Sequence, residues 1–307
     1  MQTARLGTTV CGLRFQNPIL LAAGTAAYGR ELDGVSDLSA LGGIVTKAVS
    51  VEPRNGAPAP RVAEFEGGMI NAVGLANPGV EKARAEDLPW LAANLENTRV
   101  IVNVVGSRVE DFAEVVSRLE DAAIDGYELN VSCPNTKQGG TEFGADDTVL
   151  SDLVKRVRAA TRRPLFIKLS PTLADVGRAA RTAVDAGANA ITVINTIPGM
   201  LIDTETRKPH LGFGTGGVSG SGLLPVGLLA TWKVGKAVSV PIVGVGGITS
   251  ADDVAQYFLA GASLVAIGTA ALKDPRLPVK IIRDLDAWCS AHSVASLSEI
   301  TGKLQWQ

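Results

Sequence analysis

The 307-residue sequence has few cysteines, little net charge and no long apolar run. Its three cysteines, Cys11, Cys133 and Cys289, are odd in number and far apart, so a disulfide framework is not expected. A net charge of −2 without a basic cluster gives no reason to expect a nucleic-acid partner. There is neither the apolar core of a signal peptide nor a stretch long enough to cross a membrane. We therefore expect a soluble, cytoplasmic protein.

Aromatic residues are also scarce, at 5%, whereas 34 glycines and 46% hydrophobic residues favour a tightly packed α/β core. Short β-branched runs alternate with segments of helical periodicity along the chain. Several of these runs are apolar on both faces, which is typical of a parallel sheet covered by helices. Eight such units predict a (β/α)8 TIM barrel, with residues 1–307 as a single domain. The predicted strands are 19–23, 43–47, 100–105, 127–131, 165–169, 190–194, 242–245 and 264–267.

Three regions fall outside this repeat. The segment before residue 19 contains short apolar runs punctuated by Gly7 and Gly12, and it predicts a hairpin that caps the bottom of the barrel. Residues 50–77 and 196–224 are rich in Gly and Pro, and each follows the C-terminal end of a strand. Barrel enzymes place their catalytic loops at that face, so we expect both insertions to form lids or small hairpins there.

The fourth predicted strand leads into an unusually polar loop, Asn130-Val-Ser-Cys-Pro-Asn135. A cysteine flanked by amides at the end of a barrel strand indicates a site that holds a planar polar ligand and offers one base. The other interpretation is that Cys133 is a small buried hydrophobic residue, as most isolated cysteines are. The flanking asparagines favour the functional interpretation.

Two glycine motifs end the seventh and eighth strands, Gly246-Gly247 and Gly268-Thr269. In TIM barrels these two loops often bind phosphate, because glycine lets backbone N–H groups approach the anion. Tight strand-to-helix turns would need the same glycines. On a barrel without a Walker or Rossmann motif, a phosphate most simply belongs to FMN.

Two lysines are predicted to project into the barrel mouth, Lys47 from the second strand and Lys168 from the fifth. Near a flavin, a lysine would stabilise the negative charge that develops when hydride arrives. Structural ion pairing is the alternative role. A Schiff base with a carbonyl substrate is another, as in an aldolase.

These motifs closely resemble the class 1 dihydroorotate dehydrogenases over nearly the whole chain. The resemblance is carried by Asn71-Ala-Val-Gly-Leu75, Asn130-Val-Ser-Cys-Pro-Asn135, Asn195-Thr196, Thr206-Arg-Lys-Pro209, Gly216-Gly-Val-Ser-Gly220 and the two glycine pairs. It implies an FMN site formed by Ala23, Lys47, Ala48, Asn103, Asn130, Lys168, Ile194, Gly220, Gly246, Gly247, Gly268 and Thr269. It implies a substrate site formed by Lys47, Asn71, Ala72, Val73, Gly74, Leu75, Asn130, Asn135, Asn195 and Thr196. Orotate is planar with an amide-like rim and one carboxylate, so asparagine and lysine are suitable partners.

The resemblance also implies the chemistry. Cys133 would act as the general base that removes a proton from C5 of dihydroorotate, while FMN accepts the hydride from C6. The only histidines, His210 and His292, lie on none of the matched motifs. After Gly220 the family usually continues Pro-Ala-Ile-Lys-Pro, whereas this chain has Ser221-Gly-Leu-Leu-Pro225, which leaves that loop's shape open.

Lys137, Gly139, Gly140, Phe143 and Gly144 match the type B branch of the family. Type B catalytic subunits pass electrons to a second chain carrying FAD and an iron–sulfur cluster, and from there to NAD. The resemblance therefore implies a homodimer with such a companion subunit. This sequence has no cysteine cluster for iron–sulfur ligation and no dinucleotide fingerprint of its own.

Four alternatives stay open at the level of sequence. They are an FMN-dependent dihydropyrimidine dehydrogenase, type A use of fumarate as the acceptor, a Schiff-base lyase using Lys168, and a non-catalytic barrel that binds a phosphorylated metabolite.

Overall fold

The computed structural model describes residues 4–132, 134–135 and 141–306. The strands, in chain order, are β1 (Thr8–Val10), β2 (Leu13–Phe15), β3 (Ile19–Leu21), β4 (Gly43–Val45), β5 (Val62–Phe65), β6 (Gly68–Asn71), β7 (Arg99–Val104), β8 (Gly126–Asn130), β9 (Pro134–Asn135), β10 (Thr141–Glu142), β11 (Leu165–Leu169), β12 (Ala190–Val193), β13 (Ile197–Gly199), β14 (Ile202–Asp203), β15 (Lys208–Pro209), β16 (Gly216–Ser219), β17 (Ile242–Val245) and β18 (Leu264–Ile267).

The α-helices are α1 (Val80–Lys82), α2 (Leu88–Asn94), α3 (Val109–Leu119), α4 (Asp147–Ala160), α5 (Val176–Asp185), α6 (Leu224–Ala237), α7 (Ala251–Ala260), α8 (Thr269–Lys273) and α9 (Leu277–Ala291). A π-helical segment, Ala83–Asp87, joins α1 to α2. Short 3-10 helices occur at Ala4–Leu6, Arg30–Leu32, Leu38–Ala40, Phe143–Ala145, Ser221–Leu223 and Leu297–Glu299. No helix within the described ranges is long and apolar enough to cross a membrane.

Eight parallel strands close into a barrel in the order β11, β12, β17, β18, β3, β4, β7 and β8. All eight are the strands predicted from the sequence, so the (β/α)8 TIM barrel is confirmed. The predicted segments 19–23 and 43–47 are each two residues too long at the C-terminal end. There the backbone leaves the barrel strand. The N–H of Lys47, for example, donates to the carbonyl of Ala27 at 2.8 Å.

Helices α4 and α7 form where apolar spacing and capping predict them. On α4, Leu150, Leu153, Val154 and Val157 are all buried. Helix α7 begins with a capping box in which Ser250 accepts from the N–H of Asp253, and the Asp253 carboxylate accepts from the N–H of Ser250. Such helices pack their apolar faces against the outside of the barrel and form the larger hydrophobic core.

The N-terminal strands β1 and β2 form the predicted hairpin, with Cys11 and Gly12 both at positive φ in a two-residue turn. Val10 and Phe15 join the cluster of apolar side chains that fills the barrel interior. The thiol of Cys11 donates to the carbonyl of Asn189, just before β12, at 3.4 Å. The hairpin therefore caps the N-terminal, or bottom, end of the barrel.

The two long insertions pair with each other. Strands β5 and β6 come from residues 50–77, β13 and β16 from residues 196–224, and together they form an antiparallel sheet in the order β13, β16, β6 and β5. The central pairing sets Gly217 opposite Asn71, Val218 opposite Ile70 and Ser219 opposite Met69. Strands β14 and β15 form a separate hairpin within the second insertion.

Candidate active site

A cavity of about 670 Å³ opens at the C-terminal ends of the barrel strands, within the size range of small-molecule and cofactor sites. Its walls come from the loops after the barrel strands and from the insertion sheet. The predicted site residues that line it are Ala23, Asn71, Lys168, Ile194, Asn195, Thr196, Gly220, Gly246, Gly247, Gly268 and Thr269. Those that do not are Lys47, Ala48, Ala72, Val73, Gly74, Leu75, Asn103 and Asn130.

Two predicted residues follow β8 in the sequence. Cys133, predicted to be the general base, lies outside the described residues. Asn135 belongs to the two-residue strand β9, which pairs with β10 and sets Asn135 opposite Thr141. Next to Cys133 in the sequence, the buried Ser132 hydroxyl has no hydrogen-bond partner among the described residues. Glu142 on β10 lies opposite Pro134. Burial raises the pKa of its carboxyl group, which accepts a hydrogen bond from the Ser170 hydroxyl.

The floor of the cavity is a buried polar layer inside the barrel. Lys168 on β11 pairs in register with Asn130 on β8 and Thr192 on β12, so all three side chains share the interior face. The Lys168 ammonium lies 4.0 Å from a carboxylate oxygen of Glu128, and that oxygen accepts a hydrogen bond from Asn103 at 2.8 Å. Lys168 thus takes part in an ion pair and also lines the cavity.

Glu128 was not among the residues predicted from the sequence motifs. It is 2% exposed and lies two residues before Asn130, on the same face of β8. An acidic residue within an otherwise apolar parallel strand is the signal that could have identified it, because period-two alternation places it beside Asn130.

Amide side chains form a second group at one side of the cavity. The Asn195 side-chain N–H donates to the Asn130 oxygen at 3.2 Å, and the Asn195 oxygen accepts from the backbone of Thr196 at 2.8 Å. Asn71, at the end of β6, donates to the carbonyl of Gly217 at 3.3 Å. The barrel and the insertion sheet therefore bring together three of the amides predicted to hold the substrate.

The remaining residues of the motif at 71–75 form the turn that follows β6. Gly74 and Leu75 have positive φ, and a side chain at Gly74 would collide with the backbone of Ala57. The backbone of Ala72 donates to the carbonyl of Arg61 at 2.8 Å. This turn holds Asn71 in place, whereas its other side chains lie away from the cavity.

Lys47 lies beyond the end of β4 and is half-buried. Its carbonyl accepts from the Thr46 hydroxyl at 2.9 Å, and the same hydroxyl accepts from the N–H of Asn103. The next residue, Ala48, is buried, and its carbonyl accepts from the Tyr28 hydroxyl at 3.0 Å. Within the described part of the chain, Lys47 has no carboxylate partner, in contrast to Lys168.

The glycine loop after β17 is supported from below by Tyr257. Its hydroxyl donates to the carbonyl of Gly246 at 2.7 Å, and its ring packs where side chains at Gly227 or Gly244 would collide with it. Burial holds the pKa of this phenol above its ordinary value, so the hydroxyl remains a donor. Gly246 and Gly247 both have positive φ, which favours glycine.

The loop after β18 faces open space. A side-chain carbon at Gly268 would lie 3.7 Å from Ala22 and 3.9 Å from the Thr25 hydroxyl, with nothing closer. The Thr269 hydroxyl donates to that of Ser219 at 2.7 Å and so connects this loop to the insertion sheet.

The segment that departs from the family pattern is regular. Gly220 has a φ of 124°, and a side chain there would lie 2.7 Å from the carbonyl oxygen of Gly67. Ser221 begins a 3-10 turn that leads into α6, and its hydroxyl donates to that same carbonyl at 3.1 Å. In this chain, Ser221 therefore ties the loop to the first insertion.

Both histidines are remote from these residues. His210 is exposed just after β15, and His292 stacks on Trp288 with ring centroids 4.1 Å apart. Neither lines the cavity.

The donor set fits a phosphate-bearing flavin. The cavity is lined by the glycine loops after β17 and β18, by Lys168 and by the amides Asn71 and Asn195. The buried Thr192 hydroxyl, beside Lys168 in register, has no hydrogen-bond partner among the described residues.

Comparison with known proteins gives a consistent result. The family model for dihydroorotate dehydrogenase matches residues 5–288. The chain is 46% identical over 297 residues to a protein of Pelobacter propionicus named dihydroorotate dehydrogenase B (NAD(+)), catalytic subunit, covering 96% of this chain and 97% of that one. A Geobacillus kaustophilus protein of the same name is 44% identical over 300 residues, covering 97% and 95%. A Solibacter usitatus protein named putative dihydroorotate dehydrogenase A (fumarate) is 44% identical over 305 residues, covering 99% and 100%.

Proposed function

Since this chain belongs to the dihydroorotate dehydrogenase family, we propose that it oxidises (S)-dihydroorotate to orotate in the synthesis of UMP, with FMN as its cofactor. The observation that carries this proposal is the family match over residues 5–288, combined with a cavity that is lined by Lys168, Asn71 and Asn195. The chain is a flavin-dependent oxidoreductase of pyrimidine biosynthesis. We treat residues 1–307 as one FMN-binding domain located in the cytoplasm.

The proposed FMN site combines the glycine loops of the cavity with polar side chains of the barrel. The backbone N–H groups of Gly246, Gly247, Gly268 and Thr269 would hold the phosphate, since glycine permits close approach. The other proposed contacts, around the ring and ribityl chain, are Ala23, Lys47, Ala48, Asn103, Asn130, Lys168, Ile194 and Gly220. FMN, when bound, supplies the acceptor for the hydride from C6 of the substrate.

The proposed substrate site lies between the barrel and the insertion sheet. Asn71, Asn130, Asn135 and Asn195 offer donors and acceptors for the pyrimidine rim, and Thr196 adds a hydroxyl. Lys47, together with the backbone of residues 72–75, would bind the carboxylate. The Cys133 thiolate takes the proton from C5, and the C5–C6 bond becomes a double bond as the hydride leaves C6.

The electron acceptor is proposed from the relatives. Two of those described are named type B catalytic subunits linked to NAD, which supports a separate electron-transfer subunit as the partner of this chain. The family resemblance adds the finer proposal, a homodimer whose companion subunits carry FAD and an iron–sulfur cluster. The described residues contain no group of three His, Cys, Asp or Glu side chains that could hold a metal ion. The relative named for fumarate supports type A use as the second candidate.

The main test is anaerobic reduction of the purified chain. We expect a yellow protein whose flavin absorbance bleaches when dihydroorotate is added. Bleaching by dihydrouracil but not by dihydroorotate would favour the dihydropyrimidine dehydrogenases instead. A colourless protein that borohydride traps with a ketone substrate through Lys168 would support the lyase.

A second assay identifies the acceptor. The isolated chain should reduce artificial dyes but not NAD, and addition of an FAD and iron–sulfur subunit should restore NAD reduction. Rapid NAD reduction by the chain alone would contradict the companion subunit. Efficient turnover with fumarate would assign type A use.

A further inference from the structure

We infer that Glu128 is a positioning residue that sets the charge and orientation of the cavity floor through Lys168 and Asn103. This inference rests on the proposed FMN site and assigns a role to a residue that the sequence motifs left out. Glu128 does not line the cavity, so it would act through its two neighbours rather than on a ligand directly.

The location of Glu128 is unusual for a carboxylate. It lies on β8 between the register partners Asn103 on β7 and Phe166 on β11. Its side chain is 2% exposed, and Asn103 and Lys168 are 1% and 7% exposed. All three are therefore desolvated inside the barrel, just below the cavity.

Stability alone does not account for this cluster. Removing a carboxylate and an ammonium from water costs several kcal/mol per ion, and apolar residues of similar volume often replace such a pair without loss. On the same strands, two residues before Asn103 and Lys168, the barrel interior holds the apolar residues Ile101 and Phe166. The retained charges indicate a role in the site above them.

The first effect concerns Asn103. An ionised carboxylate only accepts hydrogen bonds, so Glu128 holds the NH₂ group of the Asn103 amide towards itself, at 2.8 Å. The amide oxygen of Asn103 is then presented to its other neighbours as an acceptor.

The second effect concerns Lys168. A carboxylate oxygen 4.0 Å away fixes the position of the ammonium and offsets its positive charge. Lys168 is the member of the pair that lines the cavity, so Glu128 would moderate the field that Lys168 exerts on a bound ring. The pair would therefore set how strongly the site favours reduced over oxidised flavin.

The test uses Glu128→Gln in the FMN-loaded protein. This variant keeps the shape and an acceptor for Asn103 but removes the negative charge. We expect the ratio of the dissociation constants of oxidised and reduced FMN to shift about tenfold towards the reduced form, which raises the midpoint potential by about 30 mV for a two-electron couple. The flavin absorption spectrum should shift as well.

A double-mutant cycle with Lys168→Met separates positioning from packing. If Glu128 acts through Lys168, adding Glu128→Gln to the Lys168→Met protein should change the FMN ratio less than about threefold. An equal shift in both backgrounds would overturn the inference. Glu114→Gln, on the exposed face of α3, changes the formal charge equally and should leave the potential unchanged.

If the Glu128→Gln protein does not fold, Glu128→Asp provides a second test of the inference. It retains the charge, so its potential should stay closer to that of the parent than to that of Lys168→Met. If Glu128→Gln has the same midpoint potential and flavin spectrum as the parent, Glu128 has only a packing role. The proposed function would still stand in that case, provided that dihydroorotate bleaches the parent protein. A parent chain that binds no FMN would overturn both this inference and the proposed function.

Discussion

The two ends of the barrel interior differ sharply although the same strands build both. Near the bottom, the interior positions are apolar on β7, β11 and β12, where Ile101, Phe166 and Ala190 meet the N-terminal hairpin. Two residues further along the same strands, the interior positions are Asn103, Lys168 and Thr192. One step of the strand period therefore separates a hydrophobic core from a polar site.

The upper layer is itself divided. Its polar side chains come from adjacent strands, whereas β3, β17 and β18 place the small residues Ala22, Val245 and Ala266 at the cavity wall. Small residues and glycines leave space, and the polar group supplies charge and hydrogen bonds. This arrangement matches the general organisation of the fold, in which the bottom of the barrel contributes stability and the top carries the ligand sites.

The largest expected effect comes from changing Cys133, the proposed base. Cys133→Ser should retain FMN but slow flavin reduction by dihydroorotate by about 10²–10⁴-fold, because serine is a much weaker base near neutral pH. Anaerobic stopped-flow measurements would follow the rate, which should recover partly at high pH. The matched control is Cys11→Ser at the bottom, which should reduce its flavin normally. A parental rate in Cys133→Ser would mean that this thiol only packs.

The next effect lies in the lower layer. Phe166→Ala should reduce the free energy of unfolding by about 3–5 kcal/mol, because it leaves a cavity where a ring is now 1% exposed. Denaturant titration would measure the loss. Flavin reduction in the folded fraction should stay near the parental rate. If Phe166→Ala slowed flavin reduction as much as Cys133→Ser does, the proposed division of roles between the two ends of the barrel would be wrong.

A smaller effect is expected at the support of the glycine loop. Tyr257→Phe removes the hydrogen bond to the carbonyl of Gly246, worth about 1 kcal/mol, so FMN affinity should fall about fivefold. Fluorescence titration would measure the dissociation constant. The control is Tyr127→Phe, which removes a hydroxyl bonded to Val116 outside the barrel and should not change FMN affinity.

The smallest effect concerns the bottom thiol and pH. Burial raises the pKa of Cys11 from 9.0 to about 11. Between these values the unfolded chain loses this proton first, so the group's contribution to stability is complete below pH 9 and is lost as pH rises through 11. Alkylation followed by peptide mapping should give a midpoint near pH 11 for folded Cys11. A midpoint near 9 would show that the thiol is not desolvated.

Much of this arrangement was predictable because its signals are local. The eight strands follow from short apolar runs, the bottom hairpin from its glycine turn, and the paired amides from the motifs around Asn130 and Asn195. Pairing between the insertions was not predictable, because Asn71 and Gly217 are far apart in sequence and neither marks the other as a partner. Both lysines were predicted to project into the barrel mouth, yet only Lys168 meets a buried carboxylate among the described residues, because only its strand lies beside Glu128.

Pairing between the insertions constrains how the site can be altered. Strand β6 hydrogen-bonds to β16, and Ser221 reaches back to Gly67, so the two segments form one cover although the sequence separates them. A loop transplanted alone from a relative would arrive without its partner strand. Recombination or engineering aimed at a new substrate would therefore have to exchange both segments together, because each supplies strands of the same sheet.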